Sequence, residues 1–450
     1  MASPVLRSLS PGDSDYRLVL EALAHRASTL PAEVVQAAGT IINEVRRRGD
    51  AALRELTERF ENRRLDALEL SKPAWRAQAG SVAAPVRSAL EAAAVRIRAF
   101  HEREKAHAAT SFEYEEDGVR LGSRVEPLGR VGLYVPGGTA RYPSTVLMTA
   151  IPARVAGVGE VFMTTPGPSA ETLAAAEIAG VDRVFVLGGA QAVAALAYGT
   201  ASVPRVDKIV GPGNAYVTAA KRLVYGDVGI DFLAGPTEVA IAADDSADPA
   251  WVAADLLAQA EHDVLAVPIL VAVGRSVLEG VERALAEQLE ALPRRDIARR
   301  ALADKGLAIL VDTAAEAVAL VSQIAPEHAG LALRDAAVWA PRVTAGAVFV
   351  GHHASESVGD YFAGPSHVLP TGGSARFTSP LGVGDFLKRT SVIAYSAEAL
   401  ARQVDDIERL AEVEGLEGHG RAVAARVGKA GKADGQADNV GQSGQGTRNR

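Results

Sequence analysis

The sequence predicts an α/β protein with two consecutive, mostly parallel sheets, preceded by a helical segment and followed by a small helical arm. Three observations carry this reading. Apolar residues recur at helical spacing over the first hundred positions. From about residue 125, short β-branched runs alternate with glycine turns and Ala-rich stretches, and that alternation occurs twice.

Between about 16 and 108, Val34, Val35, Ile41, Ile42 and Val45 share one helical stripe, continued by Leu53, Leu56 and Phe60. Arg and Glu fill the other face, so 1–125 reads as a helical segment packed on the core. The runs Val131–Val135, Val161–Thr165, Val184–Leu187 and Lys208–Val210 then lead into PGG, PG, GGAQA and GPGNAY. This is the βα repeat of a parallel sheet. A second series follows at Glu238–Ala243, Val267–Val273, Leu307–Val311 and Ala347–Val350. The expectation is two incomplete, doubly wound, Rossmann-like domains, over 126–236 and 237–375. Leu320–Ile324 reads as a further strand-like stretch. Beyond 376 the strand signal fades, and Ala397–Leu410 and Gly420–Val427 look helical, which defines a C-terminal arm over 376–427. The remainder, 428–450, has Val440 as its one large apolar residue and reads as a disordered tail.

Composition narrows the function. The 450 residues carry 47 Lys and Arg against 55 Asp and Glu, a net charge of −8, which disfavours binding along a nucleic-acid backbone. No cysteine is present, so disulfides, thiolate zinc sites, Fe–S clusters and thiol nucleophiles are excluded. A metal would need His, carboxylate or amide ligands, and the chain has nine His. The longest apolar run, near Val264–Val273, contains a proline and falls short of the roughly 20 residues of a membrane span. With no signal-peptide pattern in the first residues, the expectation is a cytoplasmic protein without a membrane partner.

Several groups of residues could carry chemistry. Glycine turns after strands suit a pyrophosphate at a helix N-terminus. The G-x-G-x-x-G spacing is absent, however, and the second strand runs VFMTT into Pro166 without an acid. A dinucleotide and plain tight turns both remain open. Asp248 and Pro249 start a helix on which Gln259 and His262, three apart, share a face. An imidazole and an amide oxygen can ligate a borderline cation, although a solvated polar pair has the same spacing. In Pro326-Glu327-His328 a carboxylate beside an imidazole suits a general base, provided a turn puts both on one side; an exposed loop His is the alternative. Gly359-Asp360-Tyr361 and Pro365-Ser366-His367 lie in a long Gly/Pro/Ser-rich loop of the kind that builds sites. His352-His353 lies nearby and is the weaker candidate ligand. Glu414 and His419 open the last helix, where plain solvated polarity is the alternative.

Together these segments resemble the histidinol dehydrogenase family over essentially 16–427. The stretches that carry the resemblance are VGLYVPGG (131–138), YPSTVLMTAIPARVAGV (142–158), GGAQAVAALAYGT (188–200), VGPGNAYVTAAKR (210–222), GIDFLAGPTEV (229–239), DLLAQAEH (255–262), APEH (325–328), GDYFAGPSHVLPTGG (359–373) and EGLEGH (414–419). The resemblance implies oxidation of L-histidinol through L-histidinal to L-histidine with two NAD and a zinc ion, in the last steps of histidine biosynthesis. It implies Gln259, His262, Asp360 and His419 as zinc ligands that also meet the substrate, and Glu327 and His328 as the acid/base pair. Thr237, His328, His367 and Glu414 become substrate contacts, and Tyr134, Gln191 and Asn214 become NAD contacts. It further implies a homodimer in which Glu414 and His419 complete the neighbour's site. A base tuned near neutrality by Glu327 is expected at His328. Thr237 stands where the family more often has Ser, GPSH replaces GPNH, and APEHAGL replaces APEHLEL. None of these departures removes a ligand or the acid/base pair. The competing readings are a sister NAD-dependent dehydrogenase of another small alcohol, such as sulfopropanediol, and a non-catalytic zinc-binding paralogue.

Overall fold

A strand covered on both faces needs no polar alternation, so the unbroken apolar runs of this chain become the inner strands of parallel sheets. The computed structural model describes residues 5–26, 30–108, 110–137 and 141–428. The expected tail, apart from Gly428, lies outside the described residues. Two short strands, β1 (Arg7–Leu9) and β2 (Glu69–Leu70), lie among the N-terminal helices. A hairpin of β3 (Phe112–Glu116) and β4 (Val119–Pro127) follows. The first series is β5 (Arg130–Tyr134), β6 (Glu160–Thr164), β7 (Arg183–Phe185), β8 (Lys208–Val210) and β9 (Gly229–Ile230). The second is β10 (Glu238–Ala243), β11 (Val267–Val273), β12 (Leu307–Val311), β13 (His328–Ala332) and β14 (Ala347–Val350). The last strand is β15 (Leu387–Tyr395).

The described residues up to 108 and from 126 to 388 form one compact unit, and 110–125 with 389–428 form a second. In the first unit, one sheet has the order β2-β7-β6-β5-β8-β9, parallel except for β2. The other, wholly parallel, has the order β1-β12-β11-β10-β13-β14. Numbered within its own series, each sheet runs 3-2-1-4-5, the doubly wound order, with its switch between the first and fourth strands. Neither is a closed barrel.

Side-chain alternation sends each sheet's residues into two cores. Val239, Ile241 and Ala243 pack against the helices Pro249–Ala260 and Arg275–Leu289, while Ala240 and Ala242 face the helix Ala314–Ile324. The helix Tyr16–Ala24 joins this second core, whereas the N-terminal helices from Ala32 on cover the first sheet. The helix Ala32–Arg48 lies on one face and the helices Lys72–Ala79 and Ala84–Ala108 on the other, where Trp75 is fully buried.

Two expectations change here. The N-terminal segment is not purely helical: the hairpin of β3 and β4 occupies Phe112–Pro127, and β1 and β2 extend the edges of the two sheets. Such two- and three-residue strands are too short for a period-2 pattern to register. The strand signal also does not end at 376. β15 joins β4 and β3 in the second unit's sheet, and its burial alternates between half-buried and exposed side chains. A solvated face of this kind lacks the apolar run that marks the inner strands. The helices Ala397–Val413 and Glu417–Ala424 follow.

Candidate active site

Two short segments meet where β10 and β13 begin. Val239 pairs with His328 in the parallel ladder, so Thr237-Glu238 and Glu327-His328 arrive side by side. The helix Ala314–Ile324 delivers the second segment. Thr313 caps it in a reciprocal box with Glu316, an arrangement that contributes about 1 kcal/mol. Ala317, Val318, Val321 and Ile324 form its buried face. The strand-like reading of Leu320–Ile324 is therefore corrected, since spacings of three and four outweigh β-branched content. The helix ends at Ala325, whose φ of 48° is left-handed and costs roughly 1–2 kcal/mol for a residue with a side chain. Pro326 then prevents a further turn. The consequence is local: Glu327 and His328, adjacent in sequence, are both buried.

His328 Nδ1 donates to the Glu238 carbonyl (3.0 Å), which leaves the lone pair on Nε2. That Nε2 is buried without a hydrogen-bond partner, 3.8 Å from Asp360 Oδ1. Glu327 Oε2 accepts from the Glu238 N–H (2.9 Å) and the Thr237 hydroxyl (2.5 Å), and lies 3.7 Å from His328 Nδ1. Glu327 thus acts on His328 through charge, while a backbone carbonyl sets the tautomer. Burial opposes the imidazolium, yet Glu327, then Asp360 and Glu356, push His328 up to about 10. In the chain alone, three carboxylates act on one imidazole. Burial pushes the Glu327 carboxyl up as well.

Gln259 is buried near the end of the helix Pro249–Ala260. Its Nε2 lies 2.6 Å from Thr237 Oγ1, and its oxygen then faces Glu356 Oε2, acceptor against acceptor. Turning the amide over lets it donate to Glu356 (3.1 Å) and accept from Thr237 and the Glu238 N–H. A cation held by the amide oxygen relieves the same conflict without the turn. His262 does not share the helix, which stops at Ala260 because Asp263 Oδ1 accepts from Leu265 N in a tight turn. The exposed His262 instead donates from Nδ1 to the Ala258 carbonyl (2.9 Å), one of the unpaired acceptors at the helix end.

Asp360 lies on the helix Glu356–Tyr361, capped by Ser355. Burial would raise its carboxyl, but the nearby His328, His367 and His262 bring it below the ordinary value. His367 Nδ1 donates to the Asp360 carbonyl (2.9 Å), and its Nε2 lies 3.4 Å from Thr145 Oγ1, on the helix that follows β5. His262, His328 and His367 therefore share one device. Each spends Nδ1–H on a backbone carbonyl, so that in the neutral ring Nε2 keeps the lone pair, the setting typical of metal-ligating and base imidazoles. Among the described residues, no three His, Cys, Asp or Glu side chains form a metal group by themselves. An amide, an imidazole and a carboxylate remain as the donors, and these types suit zinc.

At the first sheet, β5 and β8 end at the switch point. The Tyr134 hydroxyl accepts from the Gly189 N–H (3.0 Å), and burial pushes this phenol up to about 12. Gln191 is buried beside Gly189. The exposed Asn214 caps the helix Ala215–Val224 through Oδ1, which leaves its amide nitrogen outward. Glu414 and His419 belong to the second unit, where both are exposed. His352 turns away to Ser246 Oγ (3.2 Å), and His353 packs on Trp251.

Sequence reasoning missed Glu238, Glu356 and Thr145. Glu238 holds His328 through its carbonyl and Arg26 through a buried bidentate pair. A backbone role leaves no motif. Glu356 carried a usable signal, being an acid just after the N-cap of the helix that bears Asp360.

Paired 3-2-1-4-5 sheets, with a buried imidazole among carboxylates where β10 and β13 begin, place the chain among α/β proteins of the dinucleotide-binding type. The model of the histidinol dehydrogenase family matches residues 24–427. The histidinol dehydrogenase of Syntrophotalea carbinolica is 51% identical over 430 residues, covering 94% of this chain and 99% of that protein. That of Burkholderia lata is 49% identical over 435 residues, again covering 94% and 99%. The crystal structure of histidinol dehydrogenase from Elizabethkingia anophelis superposes with a TM-score of 0.87 at 32% identity, over 95% of this chain and 99% of that one. The chain belongs to the histidinol dehydrogenase family of NAD-dependent dehydrogenases. Among the described residues, no helix is long and apolar enough to cross a membrane.

Proposed function

We propose that this protein oxidises L-histidinol to L-histidine through the aldehyde, reducing two NAD, in the cytoplasm. The observation that carries this reading is His328: a buried imidazole with fixed tautomer and an unpartnered Nε2. An alcohol bound against Nε2 gives up its hydroxyl proton to it as hydride leaves the same carbon for NAD. Once that proton has passed to solvent, water adds to the aldehyde, and His328 takes a hydroxyl proton of the hydrate as the second hydride leaves to a second NAD. Glu327 stabilises the imidazolium after each transfer.

Gln259, His262 and Asp360 would hold zinc, together with His419. When bound, zinc supplies Lewis acidity to the substrate's oxygen and nitrogen groups and a charge that offsets Asp360. Thr237 and His367 would position the substrate. Tyr134, Gln191 and Asn214, at the switch point of the first sheet, would receive the dinucleotide. Thr145 supports this placement, because the helix that begins after the β5 turn reaches His367.

Glu414 and His419 we assign to a partner's site in a homodimer. Val413 and Leu410, exposed on the same unit, give that arm an apolar surface to dock. The test of the activity is NADH formation from L-histidinol with and without a chelator. Two NADH per substrate, abolished by chelation and restored by zinc, is the expected outcome. Oxidation of sulfopropanediol in its place would favour the sister-dehydrogenase reading.

A further inference from the structure

The first sheet holds a buried ion pair that the reaction above does not use. Lys221, on the helix Ala215–Val224, and Asp231, just after β9, contact each other with side chains 2% and 1% exposed. Neither charge is spent on the other alone. Asp231 Oδ2 accepts from the Gly211 N–H (2.8 Å), and Lys221 Nζ donates to the Gly211 carbonyl (3.1 Å). One peptide unit on each side of Gly211 is thereby fixed. Gly211 is also the point of closest approach to the neighbouring turn. Its φ is +112°, and a β-carbon there would lie 2.2 Å from the Tyr134 carbonyl. Three residues later, Asn214 starts the helix.

The same helix and the same acid hold a second segment. Residues 231–237 carry the chain from the first sheet to the second and end at Thr237. Asp231 anchors the start of this segment, and Thr218 Oγ1 donates to the Ala234 carbonyl (3.1 Å). We infer that Lys221 and Asp231 are positioning residues, which register the Gly211–Asn214 dinucleotide turn against the segment bearing Thr237. Hydride transfer needs the nicotinamide and the alcohol carbon at a set distance, and this pair ties the segments that would place the two. The inference rests on the dinucleotide binding at that turn.

A merely structural pair behaves differently. Replacing both partners of a buried pair by apolar residues of similar size is often neutral for folding, whereas removing one leaves an uncompensated charge. The experiment therefore compares wild type with the double variant Lys221→Met/Asp231→Leu, loaded with zinc. Measured are the NADH dissociation constant by fluorescence, KM for NAD and for histidinol, zinc content and Tm. The expected result is a rise of at least about tenfold in the NADH constant and in KM for NAD, with zinc content unchanged. A folded double variant that binds NADH as wild type does overturns the inference. If wild type itself binds no NADH, the parent reading falls with it, so the two failures are distinguishable. Amide exchange on the unmodified protein gives a second measurement should the variant not fold. The Gly211 N–H is expected to be protected before NADH is added, and exchange at the rate of an open loop overturns the clamp.

Discussion

His328 Nε2 stands 3.8 Å from Asp360 Oδ1, and no described group hydrogen-bonds to it. Its partner nitrogen is held by the Glu238 carbonyl at 3.0 Å. A buried ring nitrogen left without a partner costs roughly 1–3 kcal/mol, and in the neutral imidazole the hydroxyl of a bound alcohol would supply that partner.

Replacing His328 with Gln should therefore keep the metal and lose the turnover. Gln retains a donor for the Glu238 carbonyl but offers no basic nitrogen. General acid–base groups contribute on the order of 10²–10⁴-fold, so kcat should fall within that range while zinc content stays at the wild-type level. Wild-type turnover in this variant would remove His328 from the mechanism.

For His262→Asn the opposite pattern is expected. The variant should lose zinc and activity together, by roughly 10-fold or more in metal affinity. The readout is zinc stoichiometry after dialysis against a weak chelator. Unchanged stoichiometry would exclude His262 as a ligand.

Most of the fold was legible because its inner strands are buried on both faces and announce themselves as apolar runs. The stretches Glu238–Ala243, Val267–Val273, Leu307–Val311 and Ala347–Val350 coincide with β10, β11, β12 and β14. Strands β1, β2 and β9 were missed because two or three residues define no period, and β3, β4 and β15 because their solvated faces break the apolar run. β13 was hidden by the reading of Leu320–Ile324 as a strand, which placed the helix-to-strand turn before Pro326 rather than at it. The residue types around His328 could be read from the sequence. Their linkage could not, because Glu238, His262 and His367 act through backbone carbonyls, and a carbonyl has no letter in a sequence.

The charge around His328 sets its pH behaviour. In the metal-free protein the imidazole, ordinarily near 6.5, is pushed up to about 10, chiefly by Glu327 and in spite of its burial. Its folded value lies above its unfolded one. The bound proton therefore contributes stability fully below about 6.5, and that contribution fades as pH rises toward about 10. NMR titration of the metal-free chain should find His328 still protonated at pH 8, and Glu327→Gln should bring its midpoint down. The fall of Tm with rising alkalinity should flatten in His328→Gln. A His328 midpoint unaffected by Glu327→Gln would show that Glu327 is not the source of the shift.

The last prediction concerns how many chains make one site. Gln259, His262 and Asp360, the proposed zinc donors, lie in the first unit, while Glu414 and His419 are exposed on the second. That unit contains a three-stranded sheet and two helices, with Val413 and Leu410 outward, so it buries little apolar surface by itself. If it completes a partner's site, two inactive chains can repair each other. A mixture of His262→Asn and His419→Asn chains, unfolded and refolded together, forms heterodimers in which one site combines both defects and the other has none. Activity should then recover toward about one quarter of wild type, because random pairing makes half the dimers mixed and each of those carries one intact site of two. Were both ligands drawn from the same chain, every site would keep exactly one defect whatever the pairing. A verified heterodimer without activity would place all four ligands on one chain and sink the shared site.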